Sequence, residues 1–578
     1  MDAMLMMLTA FAGYIVMYQV YGRYIGKKIF ALSAEAKVPS VEMEDGVDYV
    51  PTKKEIIFGH HFTSIAGTGP IVGPAIAVIW GWVPAMIWIF VGSIMMGAVH
   101  DFGALILSMR NQGKSVSEIT AKYINPRTKI FFFVVLFLDL LIVTAIFGLV
   151  IAVIFNMYPA SVLPVWLEVP IAMVLGVIIY KRGGNALTWS LVALALMYVT
   201  VVIGTYVPIK LGTFAGIPPT GLWTIALLIY AFIASTLPVT ALLQPRDFIN
   251  SHQLIVALAL MIAGVFAATF SGAQLHIVAP AIQATPEGAP PMLPFLFITI
   301  ACGAISGFHS LVSSGTTAKQ VQSEPDALFV GYGSMLTEAV LSTLVIVAVA
   351  AGIGLGYHSA EAGTLTGIDA WSTHYSSWAA AKGLGSKVAA FVFGAANMIE
   401  VTGIPHNVAL AIMGVFVASF AGTTMDTATR IERYALTELF SGSPIKIFEN
   451  KYVATAVAVF LAGCLAFSSG ANGKGALSLW PLFGCVNQIL AALVLTTITV
   501  YLKARGGLSW IISGIPAVFI GAMTVWAILI NQSIYMEKGN MLLSTLNLLV
   551  LAVSIWVAVE AGLKFLKSDS SKPVTDVS

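Results

Sequence analysis

Long apolar segments separated by short polar loops form the dominant pattern of this sequence. A helix needs about 20 apolar residues to cross a bilayer, because about 30 Å of hydrocarbon is covered at 1.5 Å per residue. The pattern predicts an all-α polytopic membrane protein with about 15 transmembrane helices. The fifteen candidate spans are 4–21, 58–79, 83–108, 130–156, 162–180, 187–207, 221–243, 254–272, 293–316, 329–354, 385–421, 452–469, 476–502, 509–530 and 541–566.

The composition agrees with a membrane protein, since 58% of the residues are hydrophobic and only 10% are charged. Soluble globular domains carry about 25% charged residues, so that class is excluded. The net charge of +2 gives no indication of a nucleic-acid partner. Cys302, Cys464 and Cys485 lie in apolar segments without the spacing of a disulfide framework or a metal site, and we interpret them as small buried hydrophobes.

The Lys and Arg residues predict the orientation of the spans. With the N-terminus outside and the C-terminus inside, 24 of the 29 basic residues lie in cytoplasmic segments, among them 22–57, 109–129 and 422–451. This placement leaves no Lys or Arg in the interior of a predicted span. The five basic residues outside are Lys210, Lys382, Lys387, Lys474 and Lys538.

Segment 58–74, FGHHFTSIAGTGPIVGP, predicts a broken helix. Pro70 and Pro74 lack the N–H that a continuous helix needs, and glycines give the backbone freedom to unwind. Irregular backbone at membrane depth is tolerated only where it is buried in protein or lines a cavity, so a break suggests a small-molecule site. The alternative is a kinked helix that only packs. The expected substrate-binding residues here are Ala66, Gly67, Thr68, Gly69 and Gly73.

Two further spans look unusual. Segment 221–243 places Ser235, Thr236 and Pro238 in mid-membrane and runs opposite to segment 58–79, five spans earlier. Two broken helices of opposite direction predict an inverted repeat of five helices, with residues 58–207 paired with residues 221–421. The remaining parts are then a first span and cytoplasmic amphipathic loop (1–57), a cytoplasmic loop and four C-terminal spans (422–566), and a disordered tail (567–578).

Segment 295–317 carries glycines together with polar groups. We assign Ser306 and His309 to the substrate site, and interpret the end of the segment as an ion site or the lining of a wet path. That end contains Ser313, Ser314, Thr316 and Thr317. Small and hydroxylated residues also promote ordinary helix packing in membranes, which is the alternative.

Ionisable residues in mid-membrane are candidates for proton coupling, because a charge at that depth is costly. Glu338 and Asp139 each lie about ten residues into a span, while His60 and His61 lie near an inner end. Residues nearer the span ends, such as Glu168, are expected to reach water. A salt-bridge ladder is expected on the inner face, either to latch a gate or simply to support the fold, and it comprises Asp426, Arg430 and Arg433.

Several long motifs resemble the carbon starvation protein A family in family order. They are DGVDYVPTKKEIIFGHHFTSIAGTGPIVGP (45–74), LLQPRDF (242–248), FLFITIACGAISGFHSLVSSGTT (295–317), GYGSMLTEA (331–339), TTMDTATRIERY (423–434) and LWPLFGCVNQILAALVL (479–495). The resemblance implies a bacterial inner-membrane transporter with a leucine-transporter-like fold of five-plus-five inverted repeats and extra peripheral helices. It also implies that the hydroxyls of 313–317 could face Ala66 and Gly67 as sodium ligands, if sodium replaces protons.

The expected function is secondary active import of a small carboxylate, with pyruvate favoured, driven by protons under carbon starvation. Without a cation in the membrane, backbone N–H groups at the break would hold the carboxylate. Import of short peptides or amino acids is the alternative within transport, and a nutrient sensor acting with partner proteins is an alternative of another class. No P-loop, nucleophile–base motif or metal-ligand cluster is visible, so no enzyme activity, cofactor or metal is expected. The oligomeric state stays open.

Overall fold

The computed structural model describes residues 2–273, 275–359, 363–441 and 446–567, which are almost entirely helical. One short hairpin, β1 (Tyr357–Ser359) and β2 (Gly363–Leu365), pairs antiparallel. The principal helices are α1 (Asp2–Ile29), α2 (Lys54–Ile65), α3 (Gly69–Trp80), α4 (Trp82–Met109), α5 (Val116–Tyr123), α6 (Thr128–Met157), α7 (Pro159–Lys181), α8 (Ala186–Tyr206), α9 (Pro219–Thr236), α10 (Leu243–Phe270), α11 (Met292–Thr299), α12 (Gly307–Gly315), α13 (Leu328–Leu355), α14 (Gly367–Tyr375), α15 (Leu384–Glu400), α16 (His406–Phe440), α17 (Lys451–Ala466), α18 (Trp480–Ala504), α19 (Ile511–Glu537) and α20 (Met541–Lys567).

Within the described residues, twelve helices are long and apolar enough to cross a membrane, or thirteen if the bent pair α2 and α3 forms one span. The protein is therefore a multi-pass α-helical membrane protein, as predicted. The fifteen predicted spans exceed twelve because three of them are bent, broken or short. Segment 58–79 is the bent pair, segment 293–316 is two short helices, and segment 452–469 holds the 16-residue α17.

The predicted span 385–421 is two helices rather than one. α15 ends at Glu400 and α16 begins at His406, with a turn between them. Gly403 adopts a φ of +95° in that turn, a conformation that side-chain-bearing residues rarely adopt. Pro405 follows as the residue just before α16.

The predicted break at the start of the first repeat is present. α2 and α3 are bent by 46° relative to each other, and residues 66–68 connect them. Pro70 lies in the first turn of α3, where its missing N–H costs nothing, and Pro74 lies inside the helix. The sequence therefore identified this break from its prolines.

The predicted interruption of segment 221–243 is present. α9 runs through Ser235 and ends at Thr236, residues 237–242 are not helical, and α10 begins at Leu243. The non-helical stretch that faces the first break is 300–306, between α11 and α12. No proline lies in that stretch, and the sequence predicted one continuous span with polar residues there, without a break.

Helices around the two breaks form the buried centre. α2 packs along α10, α12 packs along α18, and α6 packs along α16. By contrast, α1, α8 and α20 expose large apolar side chains such as Val20, Val199 and Leu566, as lipid-facing helices do. Of the predicted tail 567–578, only Lys567 is described, as the last residue of α20; the rest lies outside the described residues.

One end of the bundle is called the basic end below. There the loop 30–53 packs against residues 319–324 and 430–434: the N–H groups of Val50 and Thr52 donate to the carbonyls of Lys319 and Gln320. Lys319, Arg430 and Arg433 lie at this end, and its salt bridges are described with the gate residues below.

Candidate solute and proton sites

The two broken segments meet at glycines. A Cβ on Gly69 would lie 2.4 Å from the Cys302 sulfur, and a Cβ on Gly73 would lie 2.4 Å from the Thr299 carbonyl oxygen. On the other segment, a Cβ on Gly303 would lie 2.3 Å from Oγ of Ser342 in α13. These glycines permit an approach that a side chain would prevent, so the breaks at 66–68 and 300–306 form one central junction.

The first break contains backbone N–H groups that donate no hydrogen bond among the described residues. Among the described residues, no hydrogen bond uses the N–H of Gly67, Thr68 or Gly69, whereas the N–H of Ala66 donates to the Phe62 carbonyl as the end of α2. Residues 67 and 68 are buried and Gly69 is only partly so. Free N–H groups at a helix N-terminus favour an anion. Of the predicted substrate-binding set, Gly67, Thr68 and Gly69 can thus bind a carboxylate through the backbone, and Ala66 cannot.

Asn487, which the sequence analysis did not single out, holds the second break through hydrogen bonds. Oδ1 of Asn487 in α18 accepts the N–H of Phe308 at 2.9 Å, and its Nδ2 donates to Ser306 at 3.0 Å. Asn487 is 0% exposed. Ser306 therefore lies at the junction as predicted, but its hydroxyl is engaged with Asn487.

Four buried ionisable side chains form a continuous chain beside the junction, called the relay below. In α4, Nδ1 of His100 lies 2.8 Å from Oδ1 of Asp101, whose Oδ2 lies 2.9 Å from Nδ1 of His309 in α12. Nε2 of His309 lies 3.3 Å from Oε2 of Glu338 in α13, a close contact whose geometry is not that of a hydrogen bond. All four are 0% exposed. The predicted candidates His309 and Glu338 are thus brought together, and His100 and Asp101 extend the group from α4.

The relay is connected to the junction through α13. Glu338 lies one helical turn before Ser342, whose hydroxyl donates to the Pro70 carbonyl at 3.2 Å. Ser342 also faces Gly303. A protonation change at Glu338 is therefore one turn away from both breaks.

No hydrogen bond among the described residues joins the hydroxyl cluster at the end of α12 to Ala66 or Gly67, where the sodium-site expectation placed it. Ser314 donates to the Ser310 carbonyl and Thr316 to the Val312 carbonyl, both within their own helix region. The Ser313 hydroxyl has no hydrogen-bond partner among the described residues. Only Thr317 reaches the first broken helix, where its hydroxyl lies 2.9 Å from Nδ1 of His61.

Hydroxyls of α16 lie beside Gly67, where the resemblance had suggested hydroxyls of α12. A Cβ on Gly67 would lie 2.4 Å from Oγ1 of Thr424, and the Thr424 hydroxyl donates to the Ser64 carbonyl at 3.0 Å. The Ser64 and Thr427 hydroxyls are 3.1 Å apart. The motif TTMDTATRIERY contained these threonines, but no pattern in it pointed to residue 67.

Asp139 is buried at 0% exposure in α6, and both its carboxyl oxygens lack a hydrogen-bond partner among the described residues. It lies eight residues before Phe147, whose ring packs against Gly67. Eight residues span about 12 Å along a helix. Asp139 is thus an isolated buried acid on a helix that lines the junction, and it is not a member of the relay.

A second ionisable cluster corrects the expectation that no cation lies within the membrane helices. Arg246 of α10 is 3% exposed, and it bridges Asp247 at 3.1 Å and Asp426 of α16. Nδ1 of His60 lies 2.5 Å from Oδ2 of Asp247. Arg246 was assigned to a loop between two spans, but α10 begins before it, at Leu243. The position of a helix start is the least certain feature of an apolar pattern.

The predicted gate ladder has different partners from those expected. Asp426 pairs with Arg246 and not with Arg430. Arg430 and Arg433 instead face Asp48 of the loop at the basic end, at 2.9 and 3.7 Å. Burial alone would raise the pKa of Asp48, but the charges of Arg430 and Arg433 outweigh it and hold the pKa of this carboxyl below its usual value. Two of the three predicted gate residues thus pair with Asp48, a partner that was not predicted. The cluster of Asp48, Arg430 and Arg433 is called the latch below.

Ser235 and Thr236 lie near this latch and away from the junction. Their hydroxyls donate to carbonyls of their own helix, those of Ala231 and Ile233. The Leu237 carbonyl, just beyond them, accepts from Arg430. The structure therefore gives these two residues no contact with the substrate-binding set.

Comparison with known proteins agrees with the motifs. The family described as Carbon starvation protein CstA matches residues 2–527. Peptide transporter CstA of Campylobacter jejuni subsp. jejuni serotype O:2 is 31% identical, covering 100% of this chain and 86% of the relative. Pyruvate/proton symporter BtsT of Escherichia coli K12 is 32% identical, covering 91% of this chain and 81% of the relative.

A solved structure also shares the fold. The manganese transporter of Eremococcus coleocola superposes with a TM-score of 0.51, covering 90% of this chain and 99% of that one. At 10% sequence identity the likeness concerns the fold alone. On the sequence matches and the motifs together, the chain belongs to the carbon starvation protein CstA family.

Proposed function

We propose that this protein is a secondary active transporter that imports a small carboxylate, with pyruvate as the favoured solute, together with protons. The observation that carries the proposal is the relay of His100, Asp101, His309 and Glu338, buried beside the junction of the two breaks. Buried imidazoles and carboxyls can take up and release protons near neutral pH, which hydroxyls cannot. A curated relative is named a pyruvate/proton symporter, which supports the same chemistry.

The carboxylate would bind at the first break. The N–H groups of Gly67, Thr68 and Gly69 are free among the described residues, and they stand at the N-terminus of α3. The helix dipole and the free donors both favour an anion there. The relay one turn away would supply the proton that accompanies it.

The repeat and the orientation are part of this proposal. The packing favours a repeat in which the break 66–68 corresponds to 300–306, with α2 against α10 matched by α12 against α18. These pairings are a better basis for the repeat than residues 58–207 with 221–421. Because most basic residues lie in alternate loops, we place the N-terminus outside, the C-terminus inside and the basic end in the cytoplasm.

The second candidate is uptake of short peptides or amino acids, which Asp139 favours. An isolated buried carboxyl beside the junction can bind the ammonium group of such a solute. Several curated relatives are named peptide transporters. The two candidates differ in whether the solute needs a positive group.

Uptake into proteoliposomes distinguishes the candidates. Labelled pyruvate, alanine and a dipeptide are compared with an inward pH gradient, without one, and with sodium at fixed pH. The proposal expects pyruvate accumulation that follows the pH gradient and does not need sodium. Accumulation of the dipeptide alone, lost in Asp139→Asn, would favour the second candidate, and strict sodium dependence would contradict proton coupling.

A further inference from the structure

A single guanidinium faces three buried carboxyl groups at a place distinct from the relay. Arg246 bridges Asp247 and Asp426, and its Nε lies 3.8 Å from Oε1 of Glu168 in α7. Glu168 is 2% exposed and both aspartates are 0% exposed. Glu168 was expected to reach water near a span end, and the structure buries it instead.

The three acids are not equally well partnered. Asp247 also faces His60 at 2.5 Å, and Asp426 also accepts the hydroxyl of Tyr230 at 2.9 Å. Oε2 of Glu168 accepts from Ser419 at 2.7 Å. Its other oxygen, Oε1, has no hydrogen-bond partner among the described residues, and neither does Nε of Arg246 opposite. Glu168 is therefore the acid whose charge is least compensated.

A cavity lies beside Glu168 and Arg246. Glu168 and Arg246 line a space between α6, α7, α9 and α16, whose remaining walls are mostly apolar, with Trp166, Leu227 and Ala418 among them. The charged and titratable groups that face Glu168 are Arg246 and Asp247 from α10, Asp426 from α16 and Tyr230 from α9, while α6 presents Ile151. None of these groups supplies a second positive charge.

The charges do not balance without a bound proton. One guanidinium against three carboxylates leaves two negative charges in excess, and a protonated His60 would leave one. An uncompensated charge in a low-dielectric interior costs several kcal/mol, so the cluster holds a proton. Oε1 of Glu168, which accepts no hydrogen bond from the described residues, is the place where an O–H fits.

We propose that Glu168 is a second proton-binding site, separate from the relay, and that its proton crosses the membrane with the solute. This inference rests on the proposed function. The step forms one O–H bond, between an incoming H⁺ and the Glu168 carboxylate, and breaks the same bond when H⁺ leaves on the other side. A carboxylate that travels with one proton moves no net charge, whereas with two protons it moves one positive charge inward.

The test measures the net charge that crosses the membrane with each solute molecule. In proteoliposomes at equal pH on both sides, an inside-negative potassium diffusion potential of about 59 mV should drive about tenfold accumulation of pyruvate if one net charge moves. Glu168→Gln keeps the shape and mimics the protonated acid. We expect pyruvate accumulation by this variant not to respond to the membrane potential, and still to follow a pH gradient. Glu400→Gln changes an exposed carboxyl and should respond to the potential like the unchanged protein.

The outcomes separate this inference from the proposed function. If pyruvate import by the unchanged protein follows a pH gradient but does not respond to the membrane potential, the proposal of a second proton site is overturned. The proposed function then remains intact. A full response to the potential in Glu168→Gln would also overturn it. Glu168→Asp, which keeps a titrating group, should retain the response, and pyruvate exchange at zero gradient confirms that both variants are folded. No pyruvate transport by any protein would instead reject the function.

Discussion

A Cβ on Gly69 would lie 2.4 Å from the sulfur of Cys302, so the two broken helices touch there with no room for a side chain. Real Cβ atoms do not approach another atom so closely, and the neighbour belongs to a tightly packed core. The contact joins residues 233 positions apart and fixes how the two breaks sit together. It also makes Gly69 a direct probe of the junction.

We expect Gly69→Leu to lower solute uptake by about 100-fold or more, because the side chain would push the breaks apart and cover the free N–H groups. Membrane insertion and expression should remain near normal. Uptake of labelled pyruvate per inserted protein is the measurement. Gly148→Ala is the control, since a Cβ there would meet only Met425 at 3.5 Å, an ordinary contact. Normal uptake by Gly69→Leu would remove this region from the site.

Neutralising the relay should remove the proton that the relay contributes, and leave the proton proposed at Glu168. In Glu338→Gln we expect the rate of proton-driven uptake to fall by about 100-fold, the usual scale for loss of a positioned acid–base group. Solute exchange at zero gradient should persist, because the amide keeps the packing near Ser342. Sodium-dependent uptake that survives in this variant would assign the coupling ion to the hydroxyls of Ser64, Thr424 and Thr427 instead.

The orientation can be checked with single cysteines in a protein whose three native cysteines are replaced. We expect a cysteine at position 115 or 441 to resist a membrane-impermeant thiol reagent in intact cells, because the proposed orientation places both sites in the cytoplasm. A cysteine at Lys538 should be labelled under the same conditions. Labelling of position 441 from outside would invert the proposed orientation.

The latch of Asp48 with Arg430 and Arg433 should contribute to stability at neutral pH. Since the pKa of Asp48 is held below its usual value of about 3.9, its contribution is fully present above that value and is lost as the pH falls through the lower folded-state pKa. We expect Asp48→Asn to reduce the free energy of unfolding by about 1–3 kcal/mol at pH 7. Thermal unfolding in detergent measures the change.

The matched control for the latch is Glu44→Gln, which alters an exposed carboxyl of the same loop. Its unfolding should match that of the unchanged protein. The difference between Asp48→Asn and the unchanged protein should stay constant from pH 5 to pH 8. A difference that disappears within that range would mean that the latch titrates there, in conflict with the lowered pKa.

The sequence by itself determined the membrane class, the family and the first break. Long apolar segments are typical of membrane helices, and Pro70 lacks the N–H that would continue α2 into α3 without a break. The candidates His309 and Glu338 also followed from the sequence, since ionisable groups are rare at membrane depth. All of these depend on local composition.

Only the tertiary structure decided which of these groups meet. Asp101 reaches His309 across 208 positions, and Arg246 reaches Asp426 across 180. Such pairings depend on helix packing, which leaves no local pattern in one sequence. The same reason explains why Thr424 rather than Ser313 faces Gly67, and why Glu168 is buried beside Arg246. The position of a side chain along its helix can be counted from the sequence. The identity of the helix that packs against that side chain cannot be read from the sequence in this way.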